Sequence, residues 1–224
     1  MSSVLPHITL DSGKSPQHSI IWLHGLGANG EDFVPVAQEI TLPLAVRYIF
    51  PHAPMLPVTI NGGAVMPAWY DIVASSFGTR QDEAGIRVSQ TEIEKLIAQE
   101  KQRGIAAQNI FLAGFSQGGA VVLHTGLRHA EKLGGILALS TYLPLAETLA
   151  HEASTASQHT PIFMAHGISD TVVPYSFGKM SADKLRGQGY QMEWHEYSMQ
   201  HSVCSEEVGD IAAWLIHQLS KGHP

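Results

Sequence analysis

The chain has 224 residues, of which 44% are hydrophobic and 15% charged, a size and balance that suit one α/β domain over residues 1–224 with a large buried core. Its formal net charge of −7 and the lack of any basic stripe exclude a surface built to follow nucleic-acid phosphates. No run approaches the ~18 apolar residues of a membrane span, "MSSVLPHITLDSGK" has no secretory pattern, and the single cysteine, Cys204, permits no intrachain disulfide, which together point to a cytoplasmic protein.

Along the chain, short apolar β-branched runs alternate with stretches of helical period, the signature of βαβ units on a mainly parallel sheet. The first strand expected is "SIIWL" (19–23), which opens into the glycine-rich loop "LHGLGANGEDF" (23–33). "AVRYIF" (45–50) is the second. The stretch 51–71 that follows holds four prolines and a Gly-Gly pair, which exclude continuous helix and suggest a loop that walls a binding site. If its segment "PVTINGG" is exposed, it is apolar enough to support a homodimer contact. Ile86, Ile93, Leu96 and Ile97 share one face of a helix from about 82 to 103, closed by Gly104 where a left-handed cap is wanted. Further strands are expected at "NIFLAG" (109–114), "GGILALS" (134–140), "PIFMAH" (161–166) and "YQMEWHEY" (190–197). A helix starts at Gln117, and a final one carries Val208, Ile211, Ala212, Leu215 and Leu219 on one stripe.

Between the strand at 109–114 and the helix at Gln117 lies "AGFSQGGA". Gly-x-Ser-x-Gly has only three fixed positions and carries little weight alone. In a strand–turn–helix context it describes a nucleophile elbow, a strained turn whose flanking glycines avoid collision with neighbouring backbone. A serine nucleophile needs a base to take its proton and an acid to orient that base, in the chain order serine, acid, histidine for this fold. "FMAHGISDTVVP" places Asp170 just past a strand, whereas Glu131, Glu147, Asp183 and Glu193 are expected on helix or strand faces. His201 lies in the loop "SMQHSVCSEE" before the last helix; His195 alternates along a strand and His217 sits within the helix. Ser116 as nucleophile, Asp170 as acid and His201 as base thus come from loops at the carboxyl ends of three strands. Oxyanion donors are expected at the backbone N–H groups of Gln117 and of Leu26 in the early glycine-rich loop. That loop lacks the spacing of either nucleotide-binding fingerprint.

Seven ordered motifs, "WLHGLGANGEDF", "INGG" with "AWYDI", "RQDEAGI", "AGFSQGGA", "LSTYLPL", "HGISDTVVP" and "HSVC", resemble the bacterial carboxylesterase and acyl-protein thioesterase family of α/β hydrolases over about residues 19 to 219. The resemblance implies an α/β-hydrolase fold with helices on both faces of the sheet and no large lid domain. It implies a cofactor-free serine hydrolase acting on small-molecule carboxylic esters of short to medium acyl chains, with acyl-protein thioesterase or lysophospholipase activity as the alternative. Its motifs put nucleophile, acid, base and oxyanion donors on the residues already named. Leu56, Trp69, Tyr142, Val172 and Val173 fall where such enzymes line an apolar acyl groove, although Leu56, Trp69, Val172 and Val173 fit a core role equally. Two departures stand out. Ser198 replaces a usual glycine, and Tyr142 stands where eukaryotic thioesterases resemble one another in carrying Trp, which leans the chain toward the bacterial esterases.

The thirteen histidines form no metal-binding spacing. Cys204 reads as a buried thiol near a helix start. A hydrolase-fold binding module would be expected to have lost a triad member or the elbow glycines, and this chain keeps them. A peptidase or amidase shares the triad, yet the span between the strands at 134–140 and 161–166 leaves no room for a large lid.

Overall fold

The computed structural model describes residues 4–73 and 81–221. Arg80, the first residue of the "RQDEAGI" motif, and both terminal tips lie outside the described residues. In chain order the elements are β1 (His7–Asp11), β2 (His18–Leu23), α1 (Val34–Glu39), β3 (Val46–Pro51), β4 (Met55–Val58), β5 (Ala64–Pro67), α2 (Glu83–Gln102), β6 (Ile110–Phe115), α3 (Gln117–Arg128), β7 (Gly135–Leu139), α4 (Leu149–Glu152), β8 (Ile162–Gly167), α5 (Tyr175–Gly187), β9 (Met192–Tyr197) and α6 (Ser205–Ser220).

Seven strands form one sheet in the order β1-β3-β2-β6-β7-β8-β9, parallel throughout except for β1, which runs antiparallel to β3. Because successive side chains point to opposite faces and both faces are covered, the central strands are largely apolar, with His18 and Ser19 of β2 and His166 of β8 as buried exceptions. Ile21 and Leu23 of β2, Leu112 of β6 and Ile136 of β7 enter one core; Ile20, Trp22, Phe111 and Leu137 enter the other. Residues of α2, α3 and α5 cover the first face, and α1 and α6 cover the second. Each fully buried Leu, Ile or Phe stabilises the fold by about 1.5–3 kcal/mol.

Helix α2 forms where its apolar spacing places it. Asp82 accepts a hydrogen bond from the N–H of Gly85 at 3.0 Å at its start, and Gly104 follows it with φ +94°, a left-handed turn that glycine takes without strain. The strand order reverses between β2 and β6, so the loops after these two strands open on either side of a crevice at the sheet's carboxyl edge.

Several expectations need correction. β1 was not foreseen: it is a half-exposed edge strand with polar residues at every second position. Within 51–71 the chain forms an antiparallel hairpin, β4 paired to β5, in which Met55 faces Pro67 and Pro57 faces Val65. In "PVTINGG", Val58 is fully buried and Ile60 is exposed, so only part of that stretch is free to make contacts. Glu131 and Glu147 lie in loops, not on helix or strand faces, and pair with Lys101 and Lys184. Cys204 is half-buried at the N-terminal cap of α6.

Candidate active site

Strand β6 ends at Phe115, and Ser116 follows with φ 55° and ψ −118°, a conformation that costs a non-glycine residue about 1–3 kcal/mol. The turn is held from both sides. Ser116 N–H donates to the Leu139 carbonyl (2.9 Å), and its own carbonyl accepts from Thr141 Oγ1 (2.6 Å) and Ala120 N–H (3.1 Å). The glycines have a direct steric reason. A Cβ on Gly114 would come within 2.5 Å of the Gly118 backbone, and one on Gly118 within 2.5 Å of the His24 carbonyl oxygen.

His201 lies between β9 and α6, its ring packed on Phe115 with centroids 4.7 Å apart. Nδ1 is 2.7 Å from Oδ2 of Asp170, and Nε2 is 2.9 Å from Oγ of Ser116. A carboxylate only accepts, so Nδ1 carries the proton and Nε2 offers its lone pair to the serine hydroxyl. Asp170, in the loop after β8, is 5% exposed, and its Oδ1 accepts from the N–H groups of Val172 and Val173, each at 2.9 Å.

Leu26, in the loop after β2, lines the crevice, and Gln117 opens α3 just past β6 beside Ser116. Among the described residues, the Leu26 N–H donates to no protein acceptor, and the Gln117 N–H, at the first position of α3, has no carbonyl a turn before it to bond. The Gln117 side chain is occupied elsewhere: Oε1 accepts from Trp69 N–H (2.9 Å) and Nε2 donates to the Tyr70 carbonyl (2.6 Å). Trp69 Nε1 donates to the His24 carbonyl (2.8 Å), and Gly27 N–H donates to the Pro67 carbonyl (2.8 Å). Burial holds the His24 ring below the ordinary histidine value, and its Nε2 accepts from Ala53 N–H at 3.1 Å.

Ser116 and His201 line an open cavity of about 490 Å³ with Leu26, Phe33, Val36, Val172 and Val203. Of the five groove residues expected from sequence, Val172 alone reaches this cavity, and it is 58% exposed. Val173 is 3% exposed because its backbone is drawn in to bind Asp170, and Trp69 is 1% exposed because its indole is bonded beneath the glycine-rich loop after β2. Tyr142 instead lines a second cavity, of about 750 Å³, beside Leu143, Leu145 and Phe177, with its hydroxyl 2.8 Å from that of Tyr70. Leu56 sits half-buried on the hairpin and lines neither. Phe33, Val36 and Val203 are not singled out by the sequence; Phe33 and Val203 lie inside the quoted stretches 23–33 and 198–207, and Val36 lies three residues past the first. Among the described residues no group of three or more His, Cys, Asp or Glu could hold a metal ion.

Beneath the histidine loop, Glu207 in the first turn of α6 is fully buried; among the described residues its carboxyl pairs with no cation and is approached by the backbone of Cys204. Burial pushes its carboxyl up to about 8, and the charge of Asp210 adds to the rise.

A mainly parallel sheet covered by helices on both faces, without a large lid and with a serine at a strand–turn–helix elbow, defines the α/β-hydrolase fold. Residues 7–218 match the phospholipase/carboxylesterase family, and the chain belongs to it. It is 38% identical over 217 residues to acyl-protein thioesterase 1 of Yarrowia lipolytica, covering 94% of this chain and 96% of that protein. It is 40% identical over 216 residues to acyl-protein thioesterase 1 of Gibberella zeae, covering 91% and 92%. The crystal structure of Zea mays acyl-protein thioesterase 2 superposes with a TM-score of 0.85 at 28% identity, over 96% of this chain and 99% of that one.

Proposed function

We propose that the protein is a serine hydrolase that cleaves acyl thioesters and carboxylic esters through an acyl-enzyme, with thioesters as its main substrates. The observation that carries this reading is the unbroken chain from Ser116 Oγ through His201 to Asp170 at the floor of an open cavity. His201 Nε2 takes the hydroxyl proton as Oγ attacks the acyl carbonyl, and Asp170 holds the imidazolium. The N–H groups of Leu26 and Gln117 receive the oxyanion, each such donor contributing about 3–4 kcal/mol to the transition state. His201 then passes the proton to the leaving thiol or alcohol. Water attacks the acyl-enzyme with His201 again as base, which releases the acid and regenerates Ser116.

The thioesterase names of relatives at 38–40% identity favour thioesters over the plain carboxylesterase reading, and outweigh the lean toward bacterial esterases that Tyr142 in place of Trp suggests. Short to medium acyl chains suit a cavity without a lid. The single cysteine supports a cytoplasmic setting.

A fluorophosphonate probe is expected to label the wild-type protein at Ser116 and to leave Ser116→Ala unlabelled. Acyl-thioester and p-nitrophenyl ester series run side by side then rank the substrates. Labelling that survives Ser116→Ala overturns the nucleophile, and a thioester kcat/KM below that of the matched ester overturns the preference.

A further inference from the structure

The strand that leads to Asp170 carries a second imidazole. His166 stands one residue from the end of β8 and is completely buried. Its Nε2 lies 2.8 Å from the Val173 carbonyl oxygen and 3.4 Å from Oδ2 of Asp170, the oxygen that also accepts from His201. A carbonyl only accepts, so Nε2 carries the proton and Nδ1 is a bare lone pair, which has no partner among the described residues. The ring is tightly enclosed. Trp194 stacks on it at 6.1 Å, Tyr175 meets it edge-on at 6.2 Å, and a Cβ at Gly178 of α5 would collide with it. Burial lowers its pKa below the ordinary histidine value, which keeps the ring neutral.

Leucine or phenylalanine would fill this site without stranding a polar nitrogen. What the imidazole adds is one N–H aimed at the turn that bears Asp170. Val173 is held at both ends: its N–H donates to Asp170 Oδ1 and its carbonyl accepts from His166. We infer that His166 is a positioning residue for the reaction, whose Nε2–H fixes the Val173 carbonyl and faces Oδ2 so that Asp170 stays aimed at His201. The inference rests on the proposed roles of Ser116, His201 and Asp170 and extends them to a residue that never meets substrate.

The test compares His166→Leu, which removes the N–H, with His166→Gln, which returns one near the Nε2 position. For an acyl-thioester and p-nitrophenyl butyrate, His166→Leu is expected to lower kcat by about 10- to 100-fold, since small misplacements of reacting groups carry penalties of that size. KM should stay within about twofold, the mark of an interaction felt only in the transition state. His166→Gln should recover most of the lost kcat. In the wild-type protein, ¹⁵N resonances of the His166 ring should report the neutral Nε2–H tautomer between pH 6 and 8. Wild-type kcat in His166→Leu, a loss confined to KM, or no recovery in His166→Gln overturns the proposal. So does a cationic ring or an Nδ1–H tautomer, a measurement that holds even where a variant fails to fold. Fluorophosphonate labelling of the wild type separates the two levels: no label at Ser116 defeats the hydrolase reading itself, whereas a labelled wild type with an indifferent His166→Leu defeats only the positioning role.

Discussion

The floor of the serine cavity and the hairpin that stands outside it are built by opposite means. Ser116 and Asp170 follow buried strands, and their backbone or carboxylate groups are each held by several hydrogen bonds. Strands β4 and β5 pair only with each other, and Met55 and Val65 are each 61% exposed. Geometry on the floor is over-determined, so small chemical changes there are felt in full. On the hairpin, solvent takes up the change.

The sharpest way to break this contrast is Asp170→Asn. It preserves shape but offers an N–H to His201 and spoils the tautomer, and the expected loss in kcat is on the order of 10⁴-fold; a loss below tenfold would show that another acid serves. Next comes Gly118→Ala, whose Cβ would press on the carbonyls of Leu23 and His24. A destabilisation of about 3 kcal/mol or more is expected from urea unfolding, and a shift under 1 kcal/mol would mean the elbow is looser than its contacts indicate. Glu207 probes the layer below. Its native carboxyl holds a proton up to about 8 while the unfolded chain releases it near 4.3, so stability falls as pH rises from about 5 to 8, by a few kcal/mol. Glu207→Gln cannot ionise and should flatten that slope in melting curves; an unchanged slope would assign it to other groups. The smallest effect belongs to the hairpin, where Val65→Ser should change the urea-unfolding free energy by less than about 0.5 kcal/mol and kcat/KM by less than about threefold; a larger change in either would show that solvent does not take up changes on the hairpin's outer half.

The same contrast governs what could be read from sequence. The β2, β6, β7 and β8 runs stand out because both faces of a central strand must be apolar, and the order Ser116, Asp170, His201 stands out because the chemistry demands those groups at strand ends. The hairpin is hidden by Pro57 and Pro67, which argue against a strand but are tolerated in a two-stranded ribbon whose outer edges need no donor. β1 is hidden by its exposed polar positions. Groove residues are hidden for a different reason. Which of Val172 and Val173 faces the cavity depends on the turn that binds Asp170 Oδ1, and Phe33, Val36 and Val203 converge only once α1 and α6 have packed on the same face of the sheet.

The hydrogen bonds that join Gly27 to Pro67, Trp69 to His24 and Trp69 and Tyr70 to the Gln117 side chain stitch three distant segments into one plate. The base of the hairpin is therefore not part of its pliable outer half. If Leu26 and Gln117 serve as the proposed oxyanion donors, slackening that plate would blunt turnover while leaving the Ser116–His201 contact intact, so two neighbouring stretches of one ribbon differ in what a change there would disturb: the tip only its own surface, the base the frame behind Ser116.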